Sequence, residues 1–531
     1  MNIDVDVIII GSGPAGVSAA FPLVKAGYKV LMIDGGKTKS HNYLQQNYLE
    51  LRENDSSQTN WMIGEKFHAL KMKTAISPKL RIPDLAYVFD SFHEKIKFNN
   101  GDFTVVGSLA SGGLSNAWGA GVARFSNKEM EKFPFPAADL EKSYRDVGLR
   151  VGISGKSADD LRDYFGVDNE ADGPVALDDL HLSLLNGYTK KRHKIASAGM
   201  MLGRSRVAVL TSDRKNRKAC TLSGNCLWGC DRRSIYSAVE DLELLKAYPN
   251  FYFEPGWFAD AIIRDQENWK VNCSAVDGLN INYFVAKKII LAAGTFSSTK
   301  LALKLLDGNL RLGLLSSPTA AFLLWLPKFF GRKLVSGFGL GQLSFAVQLN
   351  NEIRGFGSTF STAGIPLSEF ASHLPLRRGN AIDVLSALLS SCVVGNIFLP
   401  GHLTNASVTL LHNEQLHVEG VFDESVYPLM QQASSILKKS FFSMGGVILP
   451  GSFTLGKVGG DIHYAGTLPM RKSPQRGECG QNGELAGVNN IYIVDGAVLP
   501  ILPEKSHTLT IMANADRIGN VIAAHLQMEK V

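Results

Sequence analysis

The sequence predicts an α/β protein in which a Rossmann-like dinucleotide-binding domain is assembled from distant parts of the chain, with a substrate domain inserted between them. Three observations predict it. A β-branched run, Asp6 to Ile10, leads directly into Gly11-Ser12-Gly13-Pro14-Ala15-Gly16 and then a helical stretch. A second strand-turn-helix pattern, AKKIILAAGTFSSTKLAL, occupies 286–303, and a further strand, NNIYIVDGAVLP, lies near the carboxyl terminus. Strands of one sheet drawn from three separated regions imply a discontinuous domain.

The spacing of the first motif has a physical basis. Gly11 permits a tight turn, Gly13 lets backbone N–H groups approach a pyrophosphate at the positive helix end, and Gly16 lets the helix lie close on the strand. Pro14 and Ala15 belong to the same cofactor loop. The next strand, KVLMID, ends at Asp34, where a carboxylate would grip the adenosine ribose hydroxyls. This motif by itself suits FAD or NAD. No second copy stands in strand-turn-helix context, and one dinucleotide held at the amino terminus points to a permanently bound flavin.

Other stretches belong to the same nucleotide. SGGLSNAWGAG at 111–121 concentrates small residues, with Gly112, Gly113, Ser115, Asn116, Trp118 and Gly119 forming a loop whose backbone passes near a flat ring system. Ala293 and Gly294 end one buried strand, and Asp495 and Gly496 end another, followed by the long amphipathic helix of SHTLTIMANADRIGNVIAAHL. The expected division is dinucleotide domain over 1–155, 196–304 and 451–531, a substrate-domain segment or linker over 156–195, and the substrate domain over 305–450.

Composition narrows the classes. A chain of 531 residues, 45% apolar, exceeds one ordinary core, so several domains are expected. A net charge of +6 without a Lys/Arg block interleaved with aromatics argues against nucleic acid. The opening MNIDVDVIIIGSG has no basic region before its apolar run, so a cytoplasmic protein is expected. VLSALLSSCVVGNIFLP, 384–400, is too short to span a bilayer and reads as a buried helix or strand pair. PTAAFLLWLPKFFGRK, 318–333, reads either as core or pocket wall, or as an interfacial anchor giving peripheral contact with the inner membrane face.

Taken in order, GSGPAG with Asp34, GGLSNAWG, LAAGT, HYAGTLPM and IVDGAVLP with SHTLTIM resemble the glucose–methanol–choline (GMC) oxidoreductases, FAD enzymes that oxidise alcohols. The resemblance covers the two ends of the chain and thins over 305–450. It implies an antiparallel-sheet substrate domain and a catalytic His in an H-x-x-G-T-x-x-M signature, here His463. A second polar group at the start of the last helix falls on His507 or on the adjacent Ser506. Physically, hydride leaves an alcohol carbon only as the hydroxyl proton is removed, and an imidazole suits that removal. Where covalent relatives carry a flavin-linking His, this chain has Ala117, so noncovalent FAD is expected. The implied substrate is a sugar or polyol, free or lipid-linked, within glycan or natural-product assembly. A dehydrogenase is favoured over an oxidase. Redox-neutral elimination or isomerisation on the same fold, and a flavin electron-relay component, are the competing readings.

Three of the six cysteines, Cys220, Cys226 and Cys230, fall within CTLSGNCLWGC. The spacing is similar to that of the gluconate and fructose dehydrogenase-like subgroup, in which such cysteines hold a three-iron four-sulfur cluster. The other reading is a loop of free thiols packed near the flavin.

Overall fold

Predominantly apolar strands buried on both faces belong in a parallel sheet covered by helices. Val5–Ile10 and Val30–Asp34 are such strands, and they pair in parallel, Val7 opposite Val30 and Ile10 opposite Ile33. The computed structural model describes residues 4–39, 44, 46–64, 67–71, 77–306, 310–366 and 376–529. Its first sheet runs Phe251–Pro255, Val30–Asp34, Val5–Ile10, Ile281–Leu291, with Ile491–Ile493 parallel to the end of Ile281–Leu291. Asn268–Ala275 and Trp257–Asp265 extend it as an antiparallel meander.

Two helices close one face. Pro14–Lys25 begins with Pro, whose missing N–H is unneeded in the first turn, and it packs along the last helix, Thr508–Met528. They approach closely: a Cβ on Gly519 would stand 2.5 Å from the Ala19 carbonyl oxygen. This is a Rossmann-like α/β domain whose strands come from both ends and the middle of the chain, as expected.

The inserted part is antiparallel. One sheet runs Val447–Ile448, Thr319–Trp325, Cys392–Phe398, Arg354–Ser361, Leu343–Gln348, Met200–Arg204. The helix Val426–Ser443 lays Leu429, Ala433, Leu437 and Phe441 against its core. A smaller sheet joins Tyr464–Ala465 to Arg311–Ser316 and then Thr404–Leu410, Leu416–Phe422 and Phe98–Asn100.

Three expectations need adjusting. Met200–Arg204 pairs with Leu343–Gln348, so the segment from 196, assigned to the dinucleotide domain, opens with a strand of the inserted sheet. Thr454–Leu455 and Tyr464–Ala465 likewise pair with inserted-domain strands although they follow 451. In 318–333, Thr319–Trp325 is an interior strand, and Phe322, Leu324, Leu326 and Phe329 are buried; Phe330 is exposed. The stretch 384–400 divides into the end of the helix Arg378–Leu388 and the strand Cys392–Phe398. Among the described residues, no helix is long and apolar enough to cross a membrane.

Candidate functional site

The carboxyl ends of the parallel strands converge on the first glycine turn, the place where open α/β sheets bind ligands. Gly11 has φ +103°, and a Cβ there would lie 2.4 Å from the Ala292 carbonyl oxygen; one on Gly16 would lie 1.9 Å from the Gly11 oxygen. These two glycines are required by packing. Gly13, Gly119 and Gly294 differ, since a Cβ on each would meet nothing within 4 Å. The loop 111–121 lies over the turn: Gly112 N–H donates to Ser12 Oγ at 2.9 Å, and a Cβ on Gly113 would stand 3.3 Å from Gly13 Cα.

Several residues of the expected cofactor set hold these loops in shape. Ser115 Oγ accepts from Ala238 N–H at 2.9 Å and donates to the Gly112 carbonyl at 2.5 Å. Asn116 donates to the Ser111 and Gly113 carbonyls and accepts from Ser237 Oγ at 2.8 Å. Trp118 Nε1 donates to the Tyr236 carbonyl at 2.7 Å. Asp495 accepts from Gly294 N–H at 2.9 Å, Ser298 Oγ at 2.5 Å and Ala497 N–H at 3.0 Å, tying two strand ends together; burial pushes its carboxyl up to about 6. Gly496 packs against Thr295 Oγ1 and the Tyr464 carbonyl, and Ala293 N–H donates to Ser298 Oγ.

Asp34 braces the turn. Its carboxylate accepts from Ser12 N–H at 2.9 Å, Ser12 Oγ at 2.8 Å and Gly36 N–H at 2.8 Å, with Ser111 Oγ at 3.5 Å. These donors occupy both oxygens, and the side chain is only 8% exposed. With a single methylene, it stays against its own strand end and braces the turn. Burial raises its pKa despite those donors.

The catalytic candidates come from two elements. His463 precedes Tyr464–Ala465, which is bound to the glycine turn region: Thr295 Oγ1 donates to the Tyr464 carbonyl at 2.9 Å and Gly466 N–H to the Gly496 carbonyl at 3.0 Å. His507 caps the start of the last helix. Their rings meet edge to face, centroids 4.8 Å apart at 80°. Ser506, the alternative, directs its Oγ to the loop 111–121, 2.8 Å from the position of a Cβ on Gly121. Phe398 stacks on the other side of His463 at 5.0 Å and 29°.

Burial holds both imidazoles neutral. It pulls His463 down to about 4, and it pulls His507 well below its ordinary value, with neighbouring His463 adding to the effect. The Nδ1 atoms of both rings are buried without a hydrogen-bond partner. The arrangement therefore presents two uncharged imidazoles with unsatisfied nitrogens next to a glycine cradle, which fits proton removal from a bound hydroxyl.

The cysteine loop is separate. Cys220, Cys226 and Cys230 line one cavity of about 10 Å³ together with Phe338, room for no more than a single water. Gly339 N–H donates to Cys226 Sγ at 3.4 Å, and Ser234 N–H to Cys230 Sγ at 3.2 Å. Burial pushes the Cys226 thiol up to about 12 and raises that of Cys220. Among the described residues, no three His, Cys, Asp or Glu side chains are arranged to hold a metal ion. A three-iron cluster does not fit this loop as folded.

Sequence reasoning missed two neighbours of His463. Phe398 ends an inserted-domain strand with no local signal of its role. Asp461 lies two residues before His463, and a carboxylate at that distance from an expected catalytic His was a signal to follow. Its Oδ2 lies 4.0 Å from His463 Nδ1, and its side chain is fully buried.

The glycine turn and the stretch carrying the two histidines have counterparts in known families. Residues 453–515, which include both histidines, match the family described as GMC oxidoreductase, and residues 5–102 match the family described as pyridine nucleotide-disulphide oxidoreductase. Both matches are local, one at each end of the chain. Over 79 residues, 15% of this chain and 14% of the relative's length, it is 34% identical to 6'''-hydroxyparomomycin C oxidase of Streptomyces lividus. In overall fold it is similar to pyridoxine 4-oxidase from Mesorbium loti, at TM-score 0.62 and 14% identity over 98% of this chain and 100% of that one. It is also similar to a variant formate oxidase of Aspergillus oryzae RIB40, at TM-score 0.63 and 14% identity over 99% of both chains. These relatives are named as oxidases and lend no support to the gluconate or fructose dehydrogenase-like subgroup.

Proposed function

We propose that the protein oxidises a hydroxyl group of a sugar- or polyol-type compound with noncovalently held FAD, in glycan or natural-product assembly. The carrying observation is the edge-to-face pair of neutral imidazoles, His463 partly exposed and His507 buried, beside the glycine cradle. The open faces of Gly13, Gly119 and Gly294 fit a dinucleotide, with the start of the helix Pro14–Lys25 facing its phosphates. The chemistry FAD supplies when bound is acceptance of the substrate hydride.

His463 takes the hydroxyl proton while His507 holds the developing alkoxide oxygen in place. Phe398, stacked on His463, keeps the ring plane fixed and excludes water from one side. Ala117, at the position where a linking His would stand, has no nucleophile with which to form a covalent bond. The preference for a dehydrogenase leaned on an electron route through a cluster; without one, a diffusible acceptor such as dioxygen suits better, in keeping with the oxidase named as a relative. Exposed Phe330, beside exposed Lys328, Arg332 and Lys333, supports peripheral contact with an anionic membrane and a lipid-linked substrate; co-sedimentation with anionic vesicles tests that part.

The deciding experiment is anaerobic mixing of the yellow holoprotein with a panel of sugar and polyol alcohols. Persistent bleaching that H463A lacks, followed by peroxide formation on admitting air, is the expected result. Turnover with unchanged colour would indicate redox-neutral chemistry instead.

A further inference from the structure

A buried ring nitrogen without a partner demands a reason. His463 Nδ1 is such an atom, and the nearest anionic group is the Asp461 carboxylate, 4.0 Å away. Asp461 is firmly anchored: Ser316 Oγ donates to Oδ1 at 2.8 Å and Ser317 N–H to Oδ2 at 2.7 Å. Both serines sit at the end of the strand Arg311–Ser316, where Ser316 pairs with Tyr464. Between Asp461 and His463, Ile462 holds φ +60°, a left-handed conformation unfavourable for a β-branched residue. Strain of this kind persists where the surroundings impose it, and here it lies between the two side chains concerned.

We propose that Asp461 is the positioning residue for His463, accepting its Nδ1–H and so fixing the tautomer whose Nε2 is free to take the substrate proton. This rests on His463 being the base. The contact needs a closure of about 1 Å to become a hydrogen bond, and such bonds are commonly long before the reacting complex forms. In the step itself, the substrate O–H bond breaks, its proton passes to Nε2, and Asp461 stabilises the resulting imidazolium without taking that proton. The hydride leaves by the flavin route already assigned.

The groups facing Asp461 limit its behaviour. They are His463 and Tyr464 of its own segment, and Ser316 and Ser317 of the neighbouring strand; His507, from the last helix, faces His463. The Tyr464 hydroxyl is directed away, donating to the Thr104 and Gly459 carbonyls. Burial pushes the Asp461 carboxyl up to about 7. Below that pH the carboxyl is protonated and donates to Nδ1, which leaves the proton on Nε2 and disarms the base.

The test uses the full-length holoprotein with Asp461→Asn, Asp461→Glu and Ser316→Ala variants, and His463→Ala as control. D461N is expected to lower kcat by about 10- to 10³-fold with little change in KM. The rise of activity through pH 7 is expected to disappear with it, and D461E to restore part of both. Histidine-selective ¹⁵N NMR should show Nδ1-protonated His463 in the wild type at pH 8 and lose that preference in D461N. S316A, which keeps the carboxylate but removes one anchor, should move in the same direction by less, and it serves if D461N does not fold. An unchanged tautomer, kcat within about twofold and an unaltered pH profile in D461N, with H463A inactive, would overturn the assignment. Full turnover in H463A would instead overturn the base on which it rests.

Discussion

His463 and His507 approach edge to face at 4.8 Å although one immediately precedes a short strand and the other caps the start of the last helix. Two groups acting on one hydroxyl oxygen function as a unit, so their losses do not add. H463A is expected to lower kcat by about 10²- to 10⁴-fold, H507A by somewhat less, and the double variant to be no more than a few-fold worse than H463A. Single-turnover rates of flavin bleaching measure all three. Losses that multiply would show that the two rings act independently.

The Asp461 carboxyl leaves a signature in stability as well as in rate. Its folded-state pKa of about 7 lies above the ordinary value of 3.8, so between those pH values the folded protein retains a proton that the unfolded chain releases. Its contribution is most favourable below pH 3.8 and is lost as pH rises through 7, at no more than about 1.4 kcal/mol per pH unit. D461N removes that dependence. Relative to the wild type it should gain stability steadily from pH 4.5 to 7 and remain level above, as followed by denaturant unfolding at four pH values.

Gly13 and Gly16 separate cofactor retention from folding. An added methyl at Gly13 enters open space, whereas at Gly16 it would lie 1.9 Å from the Gly11 oxygen. G13A should keep a melting temperature near that of the wild type while its flavin-to-protein absorbance ratio falls severalfold. G16A should lose about 3 kcal/mol or more of stability and its flavin together. A G13A protein with full flavin content would place the cofactor phosphates elsewhere.

What the sequence discloses follows the range of the interactions involved. The glycine turn, the buried strands and the His463 signature are written in consecutive residues, and the fold and the histidine pair follow from them. Asp34 shows the limit: its position at a strand end is legible, but its bonding to Ser12 and Gly36 depends on the side-chain length and the path of the turn. Phe398 and Met200–Arg204 were opaque because sheet pairing between distant residues leaves no local pattern; Phe398 lies opposite Thr319 and Phe356, and Met201 opposite Ala346. The small-residue loop of Ser115, Asn116 and Trp118 is legible, whereas its bonds to Tyr236, Ser237 and Ala238, far along the chain, are not.

The cysteine loop yields the last prediction. Cys226 is buried against Gly339, with its thiol held up near 12, and Lys79, which donates to the Trp118 carbonyl, is the nearby cation, itself pulled down to about 8 by burial. A cavity of about 10 Å³ between the three sulfurs would have to open several-fold to admit a cluster, separating Phe338 from the loop. Protein purified anaerobically should therefore carry flavin bands with no broad iron–sulfur absorption, and less than one iron per chain. After denaturation a thiol reagent should find all six cysteines, whereas in the folded protein Cys226 should react far more slowly than a free thiol. Stoichiometric iron and acid-labile sulfide, lost together in C226S, would show that the loop rearranges around a cluster after all.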